Sequence, residues 1–109
     1  MANTRGQTRV EGEQIAAERS KGAAGRPPLY RVLLHNDDYT TMEFVVLVLV
    51  SVFHRTESEA VQIMLHVHRK GVGVAGVYPW EIAESRVAKV ARMARQAEFP
   101  LHCTMEPTE

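Results

Sequence analysis

The chain has 109 residues, 45% of them hydrophobic, and its thirteen basic and thirteen acidic side chains leave no net charge. That length holds one domain with one core, and the even balance excludes a broad phosphate-binding field, so nucleic acid is not the expected partner. A single cysteine, Cys103, fits a reducing compartment; with no run near the roughly 20 apolar residues that span a bilayer and no secretory segment in "MANTRGQTRVEGEQ", the expectation is a soluble cytoplasmic protein.

Residues 1–28 are polar and small, with Gly6, Gly12, Gly22 and Gly25 ahead of Pro27 and Pro28. They carry too few aliphatics to offset their ordering entropy, which predicts a flexible N-terminal extension before a folded domain over 29–109. "LYRVLL", starting at Leu29, reads as the first strand. It stops on Asn36, Asp37 and Asp38, and "TTMEFVVLVLVSVF" follows. Valine favours a strand there, but Thr40 and Glu43 stand at capping-box spacing and the run is longer than most strands, so the prediction is a helix capped by Thr40. A second capping box, Thr56 with Glu59, opens "ESEAVQIMLHVHRKG". Ala60, Ile63, Met64 and Val67 recur there at helical spacing, and Gly71 is placed to end the helix. "VGVAGVY" reads as a short strand. Pro79 suits the first turn of a third helix, "PWEIAESRVAKVARMARQAEF", with Ala83, Val87, Val90, Ala94 and Ala97 as its apolar stripe. Pro100 breaks that helix and "LHCTME" makes the last strand. The order β-α-α-β-α-β defines an α+β domain, a small three-stranded antiparallel sheet packed against three helices.

Four groups compete as carriers of chemistry. Asn36, Asp37 and Asp38 lie at a strand-to-helix bend, where Asn and Asp also serve as ordinary turn formers. His66 and His68 are two apart on a helix, point in different directions and do not chelate one metal together. His68 edges an apolar face beside Met64 and Val67, the usual place of a structural histidine. The five histidines match no zinc-ligand spacing and Cys103 has no C-x-x-C partner, so no metal or other cofactor is expected. His102 and Cys103 are strand neighbours facing opposite sides, a poor catalytic dyad. No serine has a nucleophile-elbow context and no glycine-rich phosphate loop follows a strand. An enzyme is not expected; a small metal-dependent hydrolase using Asp37, Asp38 and His68 is the alternative.

"HNDDYTTMEFV", "MLHVHRKG", "GVYPWEIAESRVAKV" and "FPLHCTMEP" together resemble the ClpS adaptor family, from about Leu29 to Pro107. The resemblance implies an adaptor that binds the free first residue of N-degron substrates and delivers them to the ClpA or ClpC unfoldase of the ClpP protease. It implies an α-ammonium as the object of the acidic bend. Such a group has three N–H donors and needs three acceptors to leave water cheaply. Carried onto this chain, the acceptors are Asn36, His68 and a carboxylate, Asp37 or Asp38; alternation along an extended chain leans toward Asp38. The family's apolar pocket for the first side chain maps to Leu34, Thr40, Met42, Val45, Met64, Val67 and Leu101, several of which must also serve as core. The residue matching Met42 gates the family's pocket against β-branched guests, so Phe, Tyr, Trp and Leu are the expected first residues. Glu81 and Arg86 match the unfoldase-binding positions.

This chain departs from the family pattern in places. Thr41 stands where many members have proline. Leu47 and Val50 replace commonly polar positions and, three apart on a helix, predict a small apolar patch; a structural interaction domain using only that patch is a third reading. His66 and Arg69, also unusual, flank the pocket-forming helix.

Overall fold

The computed structural model describes residues 25–109; most of the extension expected over 1–28 lies outside the described residues. In chain order the elements are β1 (Leu29–His35), α1 (Met42–Ser51), α2 (Glu57–Lys70), β2 (Val72–Pro79), α3 (Trp80–Ala97) and β3 (His102–Pro107). The β-α-α-β-α-β order and the antiparallel three-stranded sheet are those read from the sequence. The strands lie in the order β2-β1-β3, which makes β1 central. β1 and β3 pair antiparallel, with Leu34 opposite Cys103 and His35 opposite His102.

Alternation along β1 sends Val32 and Leu34 into the core and Arg31, Leu33 and His35 to the other face. The strand's buried pair meets Phe44, Val45, Val48 and Leu49 of α1, and Val52 just beyond it. Those α1 positions recur at helical spacing, which is how a valine-rich segment buries one side as a helix. Its other side keeps Leu47 at 52% exposure and Val50 at 38%, so the predicted apolar patch is on the surface. α2 contributes Ala60, Met64 and Val67, and α3 contributes Ala83, Val90 and Ala94. Ala97, assigned to the same stripe, is exposed; α3 ends there because Glu98 turns left-handed at φ 62°. The chain then brings Phe99 onto Phe44, ring centres 4.9 Å apart.

Helix starts follow the predicted capping chemistry, with two shifts of one residue. Thr56 and Glu59 form the reciprocal box that caps α2, and Gly71 ends that helix at φ 89°. α1, however, is capped by Thr41, whose hydroxyl oxygen accepts from the Phe44 N–H at 3.1 Å. Thr40 is held within the Asp37 bend instead, its hydroxyl donating to Asp37 Oδ2 at 2.7 Å. Pro79 sits at the N-cap of α3 rather than inside its first turn, with Trp80 the first helical residue. Arg55 joins the α1–α2 connection to β2: Nε and Nη2 both donate to the Ala75 carbonyl, at 3.0 and 2.8 Å.

Candidate functional site

The bend Asn36–Thr40 is built by Asp37. Its Oδ1 accepts from the backbone N–H groups of Tyr39 at 2.8 Å and Thr40 at 2.7 Å, and its Oδ2 accepts from the Thr40 hydroxyl. Partial burial works against the charge, but the bonds from Thr40 and Tyr39 outweigh it and hold the carboxyl below the usual aspartate value. Asp38, next in sequence, is exposed and makes no such bonds among the described residues. Two adjacent carboxylates thus differ in kind. One shapes the turn, and the other is exposed to solvent.

The bend is fastened to the end of α2. The Asn36 N–H donates to the Gly71 carbonyl at 2.9 Å, while the Gly71 N–H donates to the Val67 carbonyl at 2.8 Å. Gly71 is three residues beyond His68, so the acidic bend and the last turn of α2 are adjoining surfaces. The side chains of Asn36, Asp38 and His68 are all exposed. Nothing in the sequence points to the Gly71 carbonyl as the link, because it joins positions far apart in the chain. A left-handed glycine C-cap, which leaves a helix carbonyl turned outward, is the signal that bears on it.

Of the positions mapped to a side-chain pocket, Leu34, Val45, Met64, Val67 and Leu101 are buried in the apolar core cluster. Thr40 is half-buried and Met42 is 44% exposed at the first turn of α1. The buried members belong to the core, and Met42 stands exposed at the first turn of α1. Glu81 is exposed in the first turn of α3. Arg86 is more occupied: Nη1 donates to the Val52 carbonyl at 2.7 Å and to His54 Nε2 at 3.2 Å, and its guanidinium lies 5.4 Å from the Tyr78 ring centre.

Among the described residues no three His, Cys, Asp or Glu side chains are grouped to hold a metal ion, and no helix is long and apolar enough to cross a membrane. Cys103 is half-buried, and that burial pushes its thiol up to about 12, away from the thiolate a nucleophile requires. A shallow depression of about 420 Å³ lies elsewhere, lined by Arg55, Glu59, Gln62, Ile63 and Val74.

Residues 25–104 match the family model described as "ATP-dependent Clp protease adaptor protein ClpS". The chain is 60% identical over 84 residues to the ATP-dependent Clp protease adapter protein ClpS of Myxococcus xanthus, covering 77% of this chain and 78% of that one. It is 54% identical over 99 residues to the same-named protein of Maricaulis maris, covering 91% of each. Among solved structures, that of Agrobacterium tumefaciens ClpS2 bound to L-phenylalaninamide is similar with a TM-score of 0.72 and 43% identity, covering 75% of this chain and 99% of that one. The protein is therefore an adaptor of an ATP-dependent protease and not an enzyme, which removes the metal-dependent hydrolase. It belongs to the ClpS family.

Proposed function

We propose that this adaptor binds the free N-terminal residue of N-degron proteins, with Phe, Tyr, Trp or Leu in first position, and delivers them in the cytoplasm to a ClpA- or ClpC-type unfoldase of the ClpP protease. The observation that carries the reading is the 2.9 Å hydrogen bond from Asn36 to the Gly71 carbonyl, which fastens the acidic bend to the helix end bearing His68. An α-ammonium presents three donors in a tetrahedral fan. The Asn36 carboxamide oxygen, a His68 ring nitrogen and the Asp38 carboxylate supply the acceptors. Asp38 takes the charge-assisted contact because Asp37 already accepts from Tyr39 and Thr40. An acetylated terminus offers one donor and no charge, and leaves acceptors unpaired.

The first side chain enters the apolar floor made by Leu34, Val45, Met64, Val67 and Leu101, beneath Thr40 and Met42. Full burial of an aromatic or leucine side chain contributes roughly 1.5–3 kcal/mol. Met42, unbranched and mobile at its edge, closes on flat or γ-branched guests and excludes Val and Ile. The L-phenylalaninamide bound by the Agrobacterium relative carries a free α-amine and a benzyl group, the two features this reading requires together. Glu81, exposed on α3, and Arg86, half-buried beside Tyr78, take part in the unfoldase contact.

Fluorescence anisotropy with peptides differing only in their first residue, each free and acetylated, tests the proposal. Free Phe, Tyr, Trp or Leu peptides bind, and their acetylated forms and Val or Ile counterparts bind at least tenfold more weakly. Equal affinity for free and acetylated peptides overturns it.

A further inference from the structure

On the sheet face opposite Val32 and Leu34, two imidazoles stand directly across from each other. His35 of β1 pairs with His102 of β3, and their ring centres are 5.1 Å apart with the planes tilted by 42°. His102 is exposed and His35 half-buried. A cross-strand aromatic contact of this kind is worth only about 0.2–1 kcal/mol to the sheet, so packing alone gives it little consequence.

The spacing suits another use. Two cis imidazoles on one ion, with metal–nitrogen bonds of about 2.0–2.1 Å, hold their ring centres roughly 4.5–5.2 Å apart for bond angles of about 90–109°. The outer nitrogen of one ring is also anchored, since His35 Nε2 lies 2.8 Å from the Thr104 hydroxyl oxygen. When Nε2–H donates to that oxygen, the tautomer leaves the Nδ1 lone pair available, the arrangement that orients ligating histidines in metal sites.

We propose that His35 and His102 form a two-imidazole site for a divalent transition-metal ion on this face of the sheet. No third His, Cys, Asp or Glu among the described residues joins them. Cys103 points to the core side, opposite Leu34. Water fills the remaining positions, so the site is open and weaker than a structural zinc centre. With nitrogen donors alone, it favours the late first-row ions, Cu²⁺ above Ni²⁺. The ion clamps β3 to the end of β1, one residue before Asn36. This site is separate from the proposed amine clamp and does not depend on it.

The test uses the untagged full chain with Ni²⁺ as probe, read by titration calorimetry and by the thermal unfolding midpoint. A site that exists only in the folded state raises that midpoint, whereas binding to single histidines or a terminal amine in both states does not. The expected result is one folded-state Ni²⁺ per chain, a dissociation constant at least tenfold weaker in His102→Ala, and unchanged binding in His66→Ala/His68→Ala. His102 is exposed, so its removal leaves the fold intact, and His35→Gln supplies the second arm. Equal Ni²⁺ affinity and midpoint shift in wild type and His102→Ala overturn the proposal, as does loss of binding in the His66/His68 variant alone.

Discussion

Both carboxylate oxygens of Asp37 accept hydrogen bonds within the bend, whereas Asp38 is exposed and makes no such bonds among the described residues. Substitution should therefore separate stability from binding. Asp38→Ala removes a charge-assisted contact of about 1.5–3 kcal/mol and lowers peptide affinity roughly 10- to 100-fold with little change in unfolding midpoint. Asp37→Ala removes three bonds, each worth about 0.5–1.5 kcal/mol net, and lowers the midpoint as well as the affinity. Parallel anisotropy and thermal melts distinguish the two. Asp37 also makes stability acid-sensitive. Its folded-state value lies below that of the unfolded chain, so its contribution is complete above about pH 3.9 and is lost as pH falls through the lower folded value. In acid melts, the gap between wild type and Asp37→Ala should close in that window; a constant gap would refute the assignment. His68→Ala removes one of the proposed acceptors and should lower peptide affinity with little change in unfolding midpoint, because the ring is exposed.

The close packing of β2 on α2 is the feature that would shape the proposed apolar floor. At Gly73, buried in β2, an added Cβ would lie 2.8 Å from Val67 Cγ2 and 3.2 Å from His66 Cδ2. Val67 is β-branched, buried and part of the proposed pocket, so it has little room to yield. Gly73→Ala should destabilise by about 1–3 kcal/mol through overpacking and shift the pocket edge, with peptide affinity reduced although no acceptor is touched. Chemical denaturation and anisotropy on the same variant test both effects. Nothing in the sequence marks Gly73, because its role depends on a helix beside it. What was legible came from local rules. The Thr56–Glu59 box, the Gly71 stop and the apolar spacing of Ala60, Met64 and Val67 place α2 almost residue by residue. The cap of α1 was misplaced by one residue because Thr40 and Thr41 offer the same hydroxyl. The choice between them is made by Asp37.

At the scale of the molecule, Glu81 and Arg86 both match unfoldase-binding positions, and Arg86 has a further task within the fold. Arg86 joins α3 to the end of α1 by donating to the Val52 carbonyl, and it lies over Tyr78. The sequence does not disclose this, since the two bonded positions are 34 residues apart. Arg86→Ala leaves that carbonyl without its donor at a cost of about 1–3 kcal/mol, with about 0.5–1 kcal/mol more from the lost cation–π contact. For a domain of this size, each kcal/mol lowers the unfolding midpoint by about 4–8 °C. Reduced unfoldase binding in that variant would mix docking with loosening of the α1–α3 junction. Glu81→Ala reads docking alone, because Glu81 is exposed and has no bond among the described residues. The expected pattern is an unchanged midpoint and unchanged peptide affinity for Glu81→Ala, with weaker binding to the isolated unfoldase N-terminal domain. Arg86→Ala should show a lowered midpoint whatever its effect on docking. Were Arg86→Ala to melt like wild type, the bond to Val52 would be of no consequence in solution, and any loss of docking would belong to the Arg86 side chain itself.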